Sequence, residues 1–420
     1  MLDVRQQLEI IRRGAEQIVP EQELVAKLER SVRTGKPLIV KYGIDPTGID
    51  VHLGHTVPLR KLRQFQELGH KAIIIIGNYT ALVGDPSGRD QTRVRLTPES
   101  VETNARDYLK QISKIVAGLG PAGEVIDGAR VEVHRNGDWF RRMSFLDVLD
   151  LCRRMTISRL LERDDFTKRL VAKSPIYLHE CLYPLMQGQD SVEISADVEL
   201  GGSEQLFSLM CGRELQRDHG QEPQIAITLP ILVGLDGTRR MGKSLGNYIG
   251  VADEPNNMFG KLMSIPDTCM RMYFELLTDR PLDEVNRLLA ADAHPRDAKV
   301  ALAKDIVGQY YGSAVADTSL AEFEKRFREK LDPTDIPEFD VPREELKDGR
   351  IWVCRLIVLA GFASSNGEAR RLVAQGGVNI GPDRHRNEDP KADISVCDGL
   401  ILRVGSRRVA KVRLIPGATP

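Results

Sequence analysis

A chain of 420 residues, 41% hydrophobic and 28% charged, has the composition of a soluble globular protein with two or three domains and sizeable cores, which excludes a disordered or fibrous chain. The formal net charge of −1 excludes a uniformly basic nucleic-acid binder, yet the charge is uneven: residues 350–420 hold 12 Lys+Arg against 6 Asp+Glu, or +6, leaving −7 on the first 349. Six cysteines (Cys152, Cys181, Cys211, Cys269, Cys354, Cys397) with no Cys-x-x-Cys pair exclude a zinc ribbon or disulfide scaffold and fit the reduced thiols of a cytoplasmic protein.

The start, Met1-Leu2-Asp3-Val4-Arg5, is not a signal peptide, and no apolar run reaches membrane-spanning length, so no membrane association is expected. Residues 3–33 read as amphipathic helix through Leu8, Ile11, Ile18 and Val19, then Leu24, Leu28 and Val32 after Pro20. Leu38, Ile39, Val40 and Ile44 read as a buried parallel strand, Leu59, Leu62 and Phe65 as the helix after it, and Ile73 to Ile76 as a second buried strand. Such a βαβ unit places its ligand crevice at the carboxyl ends of the strands. His52-Leu53-Gly54-His55 falls there, where helix-start amides and the dipole favour phosphate, two imidazoles at i and i+3 add donors, and Gly54 leaves room for a nucleotide. Asp45-Pro46-Thr47-Gly48 turns a carboxylate and a hydroxyl toward the same crevice. No third ligand stands at zinc spacing, so no metal site is expected.

Gly77 to Arg89 is a turn-rich loop after the second strand, placing the Asp85 carboxylate where it can meet a ligand ammonium. Thr97 caps a helix over 97–118, and residues of about 120–190 read as containing an insertion of short elements. Tyr183, Gln187 and Asp190 recur at i, i+4 and i+7, a phenol, an amide and an acid on one helical face; the stripe lines a polar pocket or lies on a surface. A strand over 195–200 ends in Gly201-Gly202-Ser203-Glu204-Gln205, where glycines let a ribose approach and an acid can take its hydroxyls. After a further strand over 225–233, Arg239-Arg240-Met241-Gly242-Lys243-Ser244 is a glycine-interrupted basic loop able to carry cations onto a triphosphate. Residues 255–332 are predominantly helical, and Pro333 to Asp348 has linker composition. The basic end contains a helix-turn-helix with Arg370-Arg371 and a terminal hairpin with Arg407-Arg408, suited to phosphates of structured RNA.

Five of these motifs, in this order, resemble bacterial tyrosyl-tRNA synthetases. His52-Leu53-Gly54-His55 is similar to the first signature of class I aminoacyl-tRNA synthetases, in the Asp-Pro-Thr context of the tyrosyl branch, and Arg240-Met241-Gly242-Lys243-Ser244 to the second, usually Lys-Met-Ser-Lys-Ser. Tyr-x-x-x-Gln-x-x-Asp resembles the tyrosine-recognition helix, and the C-terminal module resembles the small RNA-binding fold first recognised in a small-subunit ribosomal protein.

The resemblance implies a tyrosine–tRNA ligase that uses ATP with Mg²⁺ as substrate, binds tRNA(Tyr), and works as a cytoplasmic homodimer. It implies an α/β fold: a Rossmann-like parallel-sheet domain over 1–250, an α-helical domain over 251–332, a linker over 333–349 and a small α+β RNA-binding domain over 350–420. Thr47, His52, His55, Arg240 and Lys243 would act on the phosphates, and Gly54, His55, Gly202, Glu204, Met241, Lys243 and Ser244 would hold ATP. Asp45, Asp85, Tyr183, Gln187 and Gln205 would orient tyrosine, and Asp190 would read its hydroxyl. Where several relatives place a tyrosine against that hydroxyl this chain has Lys41, beside Tyr42, and either is open as a second contact. The alternatives are a tryptophanyl-tRNA synthetase and a non-catalytic RNA-binding protein on a synthetase scaffold.

Overall fold

The structure, a computed structural model, describes residues 2–48, 51–87, 96–327, 336–405 and 408–416. The chain forms two compact units, residues 1–320 and 321–420.

The first unit is built on β2 (Ile39–Ile44), α3 (Leu53–Glu67) and β3 (Lys71–Ile76), as the aliphatic run and helical spacing demand. Ala72 to Ile76 are all buried, the mark of an interior strand covered by helices on both faces. The six-stranded sheet runs β1-β6-β5-β2-β3-β4, adding β1 (Gln17–Val19), β4 (Val131–Arg135), β5 (Val198–Gly202) and β6 (Ile225–Leu229). All its pairings are parallel except β1 with β6. Chain progression reverses between β2 and β5, which opens a crevice at their carboxyl ends.

Helix expected over 3–33 is instead α1 (Val4–Arg12) and α2 (Glu21–Thr34), with β1 between them. Gly14 breaks the helix at φ +67, and the branched Ile18 and Val19 pair with Ile227 and Ala226. After β3 come α4 (Thr80–Val83) and α5 (Pro98–Ile112), capped by Thr97 as expected. Between β4 and β5 lie α6 (Gly137–Phe140), α7 (Phe145–Arg153), α8 (Ile157–Leu160), α9 (Asp164–Val171) and α10 (Leu178–Glu193). The last packs on α11 (Leu206–Asp218) and is thus part of the helix layer of the sheet, not of the insertion.

The helices after 251, α12 (Pro255–Met263), α13 (Met270–Leu277), α14 (Leu282–Leu288), α15 (Pro295–Tyr311) and α16 (Ser313–Phe327), were expected to stand apart. Through Leu320 they belong to the first unit instead. α13 packs on α3, the Arg13 guanidinium donates to the carbonyls of Phe274 and Thr278 at 3.3 and 3.0 Å, and Arg60 pairs with Asp279 at 2.7 Å.

The second unit has a five-stranded sheet, β10-β9-β12-β13-β7, and a two-stranded ribbon, β11-β8. In chain order these are β7 (Glu338–Pro342), β8 (Arg350–Trp352), β9 (Val378–Ile380), β10 (His385–Asn387), β11 (Asp393–Ser395), β12 (Ile401–Val404) and β13 (Arg408–Ile415). The helix-turn-helix is α17 (Val353–Leu359) and α18 (Asn366–Ala374). The expected linker over 333–349 is corrected here, because β7 lies inside it, parallel to β13 with Val341 fully buried. Pro337 and Pro342 sit at the strand's ends, where a missing N–H costs the ladder nothing.

Candidate active site

The N-terminus of α3 is tied by its main chain to the segment following the basic loop. Leu53 N–H donates to the Ile249 carbonyl and Val251 N–H to the Val51 carbonyl, both at 2.9 Å, so the two signature motifs are held side by side. A Cβ added at Gly54 would lie 3.0 Å from the His52 ring and 3.6 Å from Met241 Cβ. The rings of His52 and His55 stack with centroids 3.8 Å apart. Burial lowers their pKa values to about 4 and about 3, so both are neutral near pH 7. His55 Nδ1 accepts the His52 backbone N–H at 3.3 Å, which leaves Nε2–H as its donor. Neutral donors at a helix start suit a nucleotide whose cations come from elsewhere.

Those cations lie on the loop 236–247. The Asp236 carboxylate accepts the N–H groups of Thr238 and Arg239 at 3.1 and 2.9 Å, bonds that hold it well below the usual carboxylate range. Asn247 then donates to Asp236 and to the Arg240 carbonyl, and accepts Gly242 N–H at 2.9 Å. The loop is thereby clipped with Met241 buried and Arg240, Lys243 and Ser244 exposed.

At the carboxyl ends of β2 and β5 lies a cavity of about 320 Å³. Tyr42, Asp45, Thr47 and His55 line it from the first half of the sheet, and Asp85 from the loop after α4. Tyr183, Gln187 and Asp190 face it from α10, which settles their stripe as pocket rather than surface. Gly202, Glu204 and Gln205 close it from the end of β5, and Arg240 from the basic loop.

Two acids meet at one side of the cavity. Asp45 accepts the hydroxyls of Thr80 at 2.7 Å and Tyr183 at 2.9 Å. Its approach requires Gly77, where a Cβ would fall 2.0 Å from Asp45 Oδ1. Asp85 accepts from Ser87 N–H and Oγ–H at 2.8 and 2.6 Å and from Gln205 Nε2 at 2.7 Å. Asp190 lies seven residues along α10 from Tyr183, about 10 Å of helix. It is buried and accepts from Trp139 Nε1 at 3.0 Å and Asn136 Nδ2 at 3.4 Å. Burial raises its pKa to about 7, against the Lys41 ammonium and these two donors, which lower it. The cavity thus offers carboxylates for a cation at one end and a hydrogen-bonded acid for a hydroxyl at the other. Burial also raises the Glu204 carboxyl, which faces Asp85 and Arg240.

Lys41, expected as a tyrosine contact, does not line the cavity. It is fully buried on the other face of β2 from Tyr42, with Nζ 2.9 Å from Glu199. Its ammonium is taken up beneath α10 by Glu199, the Gln187 carbonyl and Ser191 Oγ, whereas Tyr42, on the opposite face of the strand, lines the cavity. Thr80, Ser87, Asn136, Trp139 and Glu199 were not singled out from sequence. For Asn136 and Trp139 a signal existed, one of two tryptophans placed directly after a strand at the carboxyl edge.

In the second unit, Arg370 and Arg371 are exposed on α18, with Arg370 stacked 5.2 Å over Trp352. Arg408 donates to the Phe362 carbonyl between α17 and α18, and the Glu368 carboxyl is held down by the Ser364 N–H and hydroxyl first, with Arg371 and Arg408 adding to them. The C-terminal half of α18 and the hairpin therefore bring arginines to one side of this unit. Arg407 lies outside the described residues.

The model of the family described as tRNA synthetases class I (W and Y) matches residues 33–328. A tyrosine–tRNA ligase of Moorella thermoacetica is 48% identical over 98% of this chain and 96% of that protein. One of Carboxydothermus hydrogenoformans is 47% identical over 98% of each. Among solved structures, the tyrosyl-tRNA synthetase of Archaeoglobus fulgidus complexed with L-tyrosine has TM-score 0.58 at 24% identity, over 76% of this chain and 100% of that one. A C-terminally truncated mitochondrial tyrosyl-tRNA synthetase of Aspergillus nidulans has TM-score 0.62 at 22% identity, over 78% and 95%. Those two likenesses show the fold, while the family match and the full-length identity together show that the chain belongs to the class I tRNA synthetases, in the branch of the tyrosine–tRNA ligases.

Proposed function

We infer that the chain is a tyrosine–tRNA ligase: it activates L-tyrosine with ATP to tyrosyl-adenylate and transfers the tyrosyl group to the 3′ end of tRNA(Tyr). The observation that carries the choice of amino acid is the buried Asp190, an acceptor presented to the cavity two helical turns from the Asp45–Tyr183 pair. Asp45, Asp85, Tyr183, Gln187 and Gln205 orient the amino-acid head, and Asp190 receives the phenolic hydrogen. No side-chain nucleophile is required, since the substrate carboxylate attacks the α-phosphorus and pyrophosphate leaves. The protein supplies positioning and stabilisation of phosphate charge. His52 and Thr47 donate to the phosphates, His55 and Gly54 hold the nucleotide beside Met241 and Ser244, and Gly202 and Glu204 meet the ribose. Arg240 and Lys243 bring positive charge to the leaving group, and Mg²⁺ enters with ATP on its phosphate oxygens.

A tryptophan-specific reading is less well supported, because an indole offers one N–H and the near full-length relatives are tyrosine–tRNA ligases. A non-catalytic scaffold does not account for the intact His52, His55 and Lys243.

Arg370, Arg371, Arg407 and Arg408 receive RNA phosphates. The exposed Phe145, Leu146, Ile157 and Val171 of the insertion helices, with Leu178 at the start of α10, all more than 70% exposed, support a homodimer through this face. No helix among the described residues is long and apolar enough to cross a membrane, and the scattered free cysteines favour a cytoplasmic setting. The test is charging of tRNA(Tyr) with labelled tyrosine. Esterification at the 3′ end supports the reading, and failure with intact adenylate formation would remove its tRNA half.

A further inference from the structure

Beneath the cavity, Lys41 of β2 and Glu199 of β5 are register partners, both fully buried. A buried ion pair persists only where its remaining hydrogen-bonding capacity is met. Lys41 Nζ meets it fully, lying 2.9 Å from Glu199 Oε1 and donating to the Gln187 carbonyl and Ser191 Oγ, each at 2.7 Å. Glu199 in turn accepts Gln187 Nε2 at 3.1 Å, Ser191 Oγ–H at 3.0 Å and Gln224 Nε2. An ionised carboxylate only accepts, so the Gln187 amide must turn its NH₂ to Glu199 and its oxygen away. That oxygen is buried and has no hydrogen-bond partner among the described residues, while Gln187 lines the cavity. An orphaned buried acceptor at a ligand site is expensive unless a donor arrives with the ligand.

We propose that the Lys41–Glu199 pair is a positioning unit for amino-acid selection: it fixes the Gln187 amide with its oxygen toward the substrate's α-ammonium. It rests on the reading of this cavity as the tyrosine site. Lys41 is then a positioning residue, one layer behind the contacts made by Gln187.

The test compares L-tyrosine with 3-(4-hydroxyphenyl)propionate, which lacks the ammonium, in Glu199→Gln and in Lys41→Met/Glu199→Gln. The double variant leaves no unpaired buried charge, so it keeps the test open if a single variant fails to fold. In each, the amide is released from an acceptor-only partner. The KM for tyrosine in pyrophosphate exchange should rise at least about tenfold, with the KM for ATP within about twofold. Competitive inhibition by the deaminated analogue should stay within about twofold of the parent. Equal weakening of both ligands, or of neither, overturns the proposal. Parent enzyme that shows no tyrosine-dependent exchange would instead overturn the reading of the cavity.

Discussion

Replacing Asp190 by Asn tests the hydroxyl reading with little change of shape. Asp190 is 4% exposed and already holds Trp139 Nε1 at 3.0 Å and Asn136 Nδ2 at 3.4 Å. An alanine would leave both donors unpaired, whereas an asparagine keeps the shape and one of them, since Trp139 meets Oδ1 and Asn136 meets Oδ2; with its oxygen toward Trp139, its NH₂ faces a hydroxyl that needs an acceptor. A hydrogen bond to a charged acceptor contributes about 1.5–3 kcal/mol, so kcat/KM for tyrosine should fall about 10- to 150-fold. Phenylalanine already leaves the acid unsatisfied and should change by less than about threefold. The parent should also show a step in pH. Burial raises the free Asp190 to about 7, so the carboxylate form that accepts the hydroxyl is lost as pH falls below that value, and kcat/KM for tyrosine should rise with pH and level off above about 7. Lys41, Asn136 and Trp139 favour the charged form and Glu199 opposes it, while His52 and His55 titrate lower, at about 4 and about 3. Pyrophosphate-exchange kinetics for both amino acids, from about pH 5 to about pH 8, should lose that step in Asp190→Asn. Equal losses for tyrosine and phenylalanine, or a step that survives the substitution, would refute the assignment.

His52→Ala and Thr47→Ala should each slow adenylate formation at least about tenfold in single-turnover assays, with tyrosine affinity nearly unchanged. A parallel loss of tyrosine binding contradicts their placement at the phosphates. Gly242→Ser should leave exchange within about threefold, since Gly242 has an extended φ of −163 and a Cβ there meets only Leu245 at 3.7 Å. Removing residues 336–420, which takes β7 together with its sheet, should preserve pyrophosphate exchange, weaken tRNA charging and flatten the salt dependence of tRNA binding. Collapse of exchange in a folded truncation would show that the first unit is not catalytically sufficient.

The parts of the site legible in sequence were those whose chemistry repeats locally. Helical spacing puts Tyr183, Gln187 and Asp190 on one face, the resemblance chose pocket over surface for it, and the apolar run of β3 together with the turn after β2 locates the crevice. Lys41 was misplaced because resemblance supplied a position without its partners: Glu199, the Gln187 carbonyl and Ser191 hold its ammonium beneath α10, out of the cavity lining. Glu199 was invisible for a related reason, since its partnership with Lys41 exists only once two remote strands are in register. Asn136 and Trp139 reach Asp190 across the end of the sheet, a contact that no sequence period encodes. β7 was hidden by flanking prolines and acids, although Phe339 and Val341 alternate as a half-buried strand should. A three-residue β1 between two amphipathic helices is too short to interrupt their helical pattern.

One assay decides between the three functional readings: ATP–pyrophosphate exchange by the purified chain with each of the twenty amino acids in turn. Exchange dependent on tyrosine, with phenylalanine lower by roughly 10⁴- to 10⁵-fold in kcat/KM, is the predicted result. Exchange driven by tryptophan, or by no amino acid, would contradict it.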